Sequence, residues 1–409
     1  MKAMIPRLAW KNIWRNKVRS GVILGAIALG LFSGTYIESF MNGWIVSTIN
    51  SDVDTHLSHV QIHDTTFLAD CDIHAFFLQM PVSDRIEASG LPALASFRLI
   101  VQGMLASANN AVGITVKGVF PEDEKAISTI WKQIPDTLGA FLPDNTRMPV
   151  VISKKIAEKL KVKLKSKIVL TFQDAQGEMQ SLAFRVCGIY KTTNGLFDEG
   201  NVFVRYGDIF PYTGLPGGAV HEAGIKVADL ETCKMIAPQM KALLSGLSVQ
   251  DWGELNPMLS MSLAWMDFFG IIIIVIFLLA LSFGIVNTML MAVLERTREL
   301  GMLSAIGMTK GRIFSMIMLE TFFLTLLGSI AGMILAALVI LPFMSKGIDL
   351  SFLMEDQFED YGFGSVIYPV LTVKIFLQIL APVILAGILS AVYPARKALG
   401  LKSLDAIRQ

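Results

Sequence analysis

The sequence predicts a membrane α-helical protein with four transmembrane helices and a large α+β extracytoplasmic domain inserted between helices 1 and 2. Three observations predict it. Of the 409 residues, 53% are hydrophobic and 17% charged, where soluble domains carry about a quarter charged. The apolar excess is gathered into four runs, each long enough for the ~20 residues that a bilayer core requires. Between the first two runs, the pattern changes to short, alternating strand-like segments.

Residues 1–20 hold Lys2, Arg7, Lys11, Arg15, Lys17 and Arg19 with no acid, and Trp10 and Trp14 stand one turn apart. That is the composition of an amphipathic helix lying at the cytoplasmic interface. Residues 21–45 form transmembrane helix 1. The run is long for a signal peptide and no A-x-A site follows it, so it reads as an uncleaved span. Residues 46–262 form the external α+β domain, with a β-rich subdomain near 148–206. There KIVLTF (167–172), QSLAFRVCGIY (180–190) and NVFVRY (201–206) read as a meander with Gly177 in its first turn. Helical patterns lie at Ser153–Leu160 and Glu231–Leu244.

Residues 263–294 form helix 2, whose FFGIIIIVIFLLALSFGIV carries no charge. Segment 295–312 is too polar to span: Leu300, Leu303 and Ile306 stripe one face, and Glu295, Arg296, Arg298 and Glu299 make a charged head. A short helix along the inner surface fits it. Helix 3 covers 313–343, an outer loop 344–371, helix 4 372–394 and a cytoplasmic tail 395–409. Segments 1–20, 295–312 and 394–409 carry fourteen basic residues against three acids, whereas the outer loop sets Asp349, Glu355, Asp356, Glu359 and Asp360 against Lys346. The positive-inside rule therefore places both termini in the cytoplasm and 46–262 outside.

Composition and motif exclude several chemistries. The net charge of +1 gives no global field for nucleic acid. No G-x-x-x-x-G-K-[ST] loop is present; GMLSAIGMTKGR at 301–312 has the wrong spacing, so that route to ATP is closed. No G-x-S-x-G elbow, H-E-x-x-H helix or catalytic triad is found, and the chain is expected to be no enzyme and to bind no metal or cofactor itself. Cys71, Cys187 and Cys233 match no zinc or redox spacing, and which of them pair is not readable.

His56, His59 and His63, near Asp52, Asp54 and Asp64, are the strongest metal candidate, but HVQIHD alternates, so His59, Gln61 and His63 are expected on the wet face of a strand while Val60 and Ile62 pack inward. The run Lys154, Lys155, Lys159, Lys161, Lys163, Lys165 and Lys167 reads first as a solvated face, with anionic headgroups or an acidic partner as the functional alternative. Glu38 falls near the outer edge of span 1, and Glu320 about two turns into span 3, pairing or snorkelling inward. Small residues at helical spacing, Gly21 with Gly25, Gly328 with Gly332 and Gly387 with Ala391, suit close helix packing or self-association.

AWKNIWRNKVRS at the start, NTMLMAVLERTRELGMLSAIGMTKGRIFSMIMLE at 287–320 and YPARKALGLKSLDAIR at 393–408 resemble the FtsX-like permeases of the mechanotransmission class of ABC transporters. The size of the external block, and SHVQIHD at 58–64, are most similar to the lipoprotein-releasing (Lol-type) permeases. The resemblance implies that 295–312 is a coupling helix docking into a separate ATPase, with Glu295, Arg296, Arg298, Glu299, Gly301, Met302, Ala305 and Gly307 at the contact. It implies two copies of that ATPase, holding ATP and Mg, and a second permease, identical or homologous. The substrate would be a lipoprotein drawn from the outer leaflet of a Gram-negative inner membrane and its membrane lipids, and handed to a periplasmic carrier. Its acyl path would run past Glu38, Phe40, Met41, Met261, Phe268 and Phe269. The alternatives are a macrolide-exporter-like export of peptides or amphiphiles from the periplasm, and non-transporting regulation of a cell-wall hydrolase.

Overall fold

A computed structural model of the protein describes residues 4–350 and 366–399. The basic tail from 400 onward and the acids Glu355, Asp356, Glu359 and Asp360 lie outside the described residues. The described chain divides into two units, one within 1–45, 263–349 and 366–399, the other within 46–262.

The first unit is helical. Helix α1 (Met4–Arg15) buries Ala9 and Ile13 and leaves Trp10 and Trp14 half out, an apolar and aromatic face beside a cationic one. Among the described residues, four helices are long and apolar enough to cross a membrane: α2 (Lys17–Asp52), α3 (Pro257–Glu295), α5 (Lys310–Lys346) and α6 (Val373–Leu399). Between α3 and α5 stands the short α4 (Thr297–Ala305). The first three predicted spans fall within α2, α3 and α5, and the fourth, 372–394, begins one residue before α6, which runs on to Leu399.

Between apolar helices in lipid no net hydrophobic drive remains, so association rests on close packing. The glycines supply it. A Cβ at Gly332 of α5 would stand 2.6 Å from the Ala28 carbonyl oxygen of α2, and one at Gly328 2.8 Å from Ile27 Cβ. Gly387 of α6 lies directly against Thr325 of α5. These three close approaches are intramolecular, whereas Gly21 and Gly25 of α2 meet nothing within 4 Å.

The second unit is built on a nine-stranded sheet: β1 (Val60–His63), β2 (Leu94–Ala106), β3 (Ala111–Val119), β4 (Pro149–Ser153), β5 (Lys167–Gln173), β6 (Met179–Tyr190), β7 (Asn201–Arg205), β8 (Glu222–Lys226) and β9 (Ser248–Asp251). Their order is β9-β1-β8-β2-β3-β7-β4-β6-β5, and β5 also pairs with β2. Six strands, β2-β3-β7-β4-β6-β5, therefore close on themselves, and β5 is no longer an edge strand. Inside this ring pack Leu99, Val116, Val150, Leu170, Phe184 and Val204. The helix Lys154–Leu160, capped by Ser153 Oγ on Ile156 N at 3.0 Å, adds Ile156 and Leu160 to the same core.

Two expectations are corrected here. The segments 167–172, 180–190 and 201–206 are not a meander. β5 and β6 form a hairpin around Gly177, φ +86°, but β7 pairs with β3 and β4, and β4 intervenes between it and β6. Strand alternation specifies which side chains face the core and not which strand is the neighbour. Nor is one face of β1 wet: Gln61 and His63 are as buried as Val60 and Ile62. The strand lies between β9 and β8, and its polar side chains are used internally. Gln61 donates to the Leu57 carbonyl at 2.7 Å, and His63 stacks on Phe67. Cys71, Cys187 and Cys233 are unpaired thiols.

Candidate functional site

The segment that joins α3 to α5 carries four charged side chains within five residues, Glu295, Arg296, Arg298 and Glu299. Helix α3 ends at Glu295, Arg296 leaves helical geometry, and α4 begins at Thr297. Past Ala305 the chain turns at Gly307, φ +96°, a conformation that glycine adopts without a Cβ penalty. Met308 N then bonds back to the Leu303 carbonyl, and Thr309 stands in extended backbone just before α5.

One side of α4 is held by a chain of ion pairs. Arg15 of α1 pairs with Glu299, and Arg19 of α2 pairs with Glu295 at 3.3 Å. Arg296 donates to Glu299 at 3.3 Å and reaches Glu320, buried in α5, at 3.2 and 3.3 Å. Arg19 approaches the same Glu320 carboxylate at 3.8 Å. A carboxylate at this depth is costly unless compensated, and two guanidinium groups compensate it. The Arg15 hydrogen bond, helped by Arg296 and opposed by slight burial, holds the Glu299 carboxyl below its ordinary range. Leu300 and Gly301 face inward on this side.

The opposite side is open. Arg298 is exposed and makes no ion pair among the described residues. Met302 is 57% exposed, Ala305 and Gly307 are exposed, and Ile306 is 79% exposed. Arg298, Met302 and Ala305–Ile306 recur at helical spacing and make one stripe, apolar with a cationic head. The expected packing stripe of Leu300, Leu303 and Ile306 is thus corrected at its last member. Ile306 N still bonds to the Met302 carbonyl at 3.0 Å, and six helical steps of ~100° carry it about 120° round from Leu300 to the side of Met302, where it points outward. The eight residues nominated for partner contact divide accordingly. Glu295, Arg296, Glu299 and Gly301 anchor α4; Arg298, Met302, Ala305 and Gly307 face out. Arg15, Arg19 and Glu320, absent from that nomination, complete the anchor, and their pairing partners lie hundreds of residues away in sequence for Arg15 and Arg19.

The proposed acyl path is less unified. Glu38 receives a hydrogen bond from Asn42 at 3.1 Å, and its Oε2 would stand 2.9 Å from a Cβ at Gly270. Phe40 belongs to a ladder along α2, Phe32–Tyr36–Phe40–Trp44, with Met41 half-buried beside it. Phe268 and Phe269 cluster with Trp265 on α3, and Met261 lies exposed nearer the start of that helix.

In the α+β unit the histidines go separate ways. His56 stacks on Phe197 at 4.4 Å, and His63 Nε2 lies 3.5 Å from Glu222. Asp54 pairs with Lys226 at 3.1 Å, and Asp64 caps Thr66. Among the described residues no cluster of three or more His, Cys, Asp or Glu is arranged to hold a metal ion. Beside them is a buried charge network. Arg98 forks onto Glu124 at 2.8 and 2.9 Å and pairs with Glu222, which Lys117 approaches at 3.8 Å. Arg98 also reaches the His56 carbonyl at 3.4 Å, tying the π-helical turn Val53–Leu57 to the sheet.

Comparison with known proteins agrees with the helical unit. Residues 271–402 match the family model described as FtsX-like permease C-terminal. The chain is similar to an uncharacterised ABC transporter permease of Methanocaldococcus jannaschii, 24% identical over 277 residues, covering 66% of this chain and 64% of that one. It is similar also to the macrolide export ATP-binding/permease protein MacB of Chlorobaculum tepidum, 33% identical over 125 residues, covering 31% of this chain and 16% of that protein. The aligned regions thus span less than two thirds of these relatives. Among solved structures, the periplasmic region of MacB from Actinobacillus actinomycetemcomitans aligns with 52% of this chain and 97% of its own length, at 12% identity and a TM-score of 0.34.

Proposed function

We propose that the chain is the membrane subunit of an ABC transporter of the FtsX/MacB type, and that α4 is its coupling helix. The observation that carries the reading is the two-sidedness of α4. A nine-residue helix between two apolar spans is pinned on one side by Arg15, Arg19, Arg296 and Glu320, and shows Arg298, Met302 and Ile306 on the other. Pinning makes the helix a rigid lever, and an exposed apolar stripe with a cationic head is a docking face. A separate ATPase, two copies per assembly, supplies the force from the cytoplasmic side. The open Gly21–Gly25 face of α2 supports pairing with a second permease, identical or homologous.

For the cargo, similarity to macrolide-export permeases supports export of an amphiphile or peptide from the outer side of an inner membrane. Lipoprotein release to a periplasmic carrier is the second reading, supported by the size of the external domain and the SHVQIHD strand. In either case the aromatic residues of α2 and α3 at 40 and 268–269 supply apolar contact for the substrate.

The test is purification of the tagged permease from its native host in mild detergent. An ABC ATPase should be retained, and Arg298→Glu combined with Met302→Glu should reduce its recovery at least about tenfold, the loss of one hot-spot contact, with membrane insertion unchanged. Recovery of an adaptor and an outer-membrane channel selects export, and acylated lipoprotein selects release. Undiminished ATPase recovery with the double variant would refute the role given to α4.

A further inference from the structure

In the folded domain five of the seven lysines of the run at 154–167 fall into two groups with different surroundings, while Lys161 and Lys163 stand exposed between them. Lys154 pairs with Glu158 at 3.9 Å, and Lys155 and Lys159 pair with Glu199 at 3.4 and 3.1 Å. Lys165 and Lys167 instead line a cleft of about 680 Å³, together with Arg147 and Arg185. None of these four cations has an ion pair among the described residues, and no acid lines the cleft.

The register sharpens the point. Lys167 of β5 and Arg185 of β6 are direct cross-strand partners, and both are exposed on the same face of the hairpin. Like charges so placed repel and weaken a sheet. Beyond them on that face stand Ala183 and Ser181, whose small side chains leave the floor of the cleft open, and Tyr212 forms part of its lining. Met148 and Lys165, on the adjoining loops, hold left-handed backbone at φ +50° and +67°, which non-glycine residues seldom adopt. The volume falls within the ~300–1,000 Å³ of small-ligand sites.

We propose that this cleft binds a polyvalent anionic group of phosphate chemistry, a pyrophosphate or the phosphomonoester of a lipid headgroup. Two guanidinium forks match phosphate oxygens in pairs, and the two ammonium groups add point charge. More than one negative charge is needed to offset four cations, and a compact ligand fits a bounded cleft better than an extended acidic chain does. Binding relieves the Lys167–Arg185 repulsion, so the unliganded hairpin is the less stable form. The inference is independent of the role given to α4, and its failure leaves that role untouched.

The full-length protein, in nanodiscs of zwitterionic lipid at low salt, is titrated with inorganic pyrophosphate by calorimetry. It is also floated with phosphatidylcholine vesicles with and without phosphatidic acid. The combination Lys167→Ala with Arg185→Ala should weaken binding at least about tenfold, since each lost charge-assisted contact is strong. The combination Lys154→Ala with Lys163→Ala removes the same charge outside the cleft and should change binding less than about twofold. Both pairs are exposed, and an unchanged melting transition confirms that the variants fold. Pyrophosphate binding identifies a soluble source, and selective flotation with phosphatidic acid a headgroup; either supports the site. The proposal is overturned if wild type binds neither probe, or if both double variants lose binding equally.

Discussion

Glu222 sits among Arg98, Lys117 and His63 with almost no solvent contact. Burial alone would push its carboxyl up, but Lys117 and Arg98 outweigh burial and hold it well below the usual carboxylate range. Removing one member of such a network leaves the others charged and uncompensated. Glu222→Gln should therefore destabilise the α+β unit by about 3–5 kcal/mol at pH 7, read as a lowered unfolding midpoint. The pH dependence follows from the sign of the shift. A depressed acid stabilises fully above its unfolded value, ordinarily 4.5, and the contribution fades as pH falls toward its folded value. The gap between wild type and variant should thus narrow below about pH 4.5, and a gap constant to pH 3 would contradict the network. None of this was legible in sequence: Glu222 lies 124 positions from Arg98, and HEAG at 221–224 carries no motif.

At the scale of elements, glycine placement and helix ends decide the packing. Gly332 lets α5 reach the backbone of α2, with the Ala28 carbonyl 2.6 Å from where a Cβ would stand. Backbone cannot swing aside as a flexible side chain does, so Gly332→Val should cost about 1–3 kcal/mol through overpacking. The loss should appear as a lower midpoint of aggregation on heating in detergent. Gly21→Val, which meets open space, should leave that midpoint of the isolated subunit unchanged. The small-residue spacing was readable, but which pairs face inward was not, because period places residues on a face without naming the face's neighbour. The same reason separates Ile306 from Leu300 and Leu303. Each step of three falls short of a full turn, so two of them carry Ile306 about 120° round from Leu300, onto the side of Met302.

For the whole molecule, the testable property is sidedness. A membrane-impermeant maleimide applied to intact spheroplasts should label Met104→Cys in the external domain, since Met104 is 51% exposed on β2. Met302→Cys on α4 should be labelled only after permeabilisation, with peptide mapping separating these sites from the native thiols. Equal labelling of both in intact cells would invert the proposed orientation.

Four long apolar helices and an α+β insertion between the first two were determined by the sequence alone. Apolar length and residue period are local properties, and a twenty-residue stretch declares them without reference to the rest of the chain. The short polar helix between spans was legible for the same reason. Tertiary structure alone decided which of its charges anchor and which face out, because Arg15 and Glu299 meet across 284 residues and Arg19 and Glu295 across 276. It alone closed β5 onto β2, buried both faces of β1 and split one lysine run between paired neighbours and an acid-free cleft. Each of those outcomes depends on which distant segment arrives as a neighbour, and only long-range packing selects that neighbour.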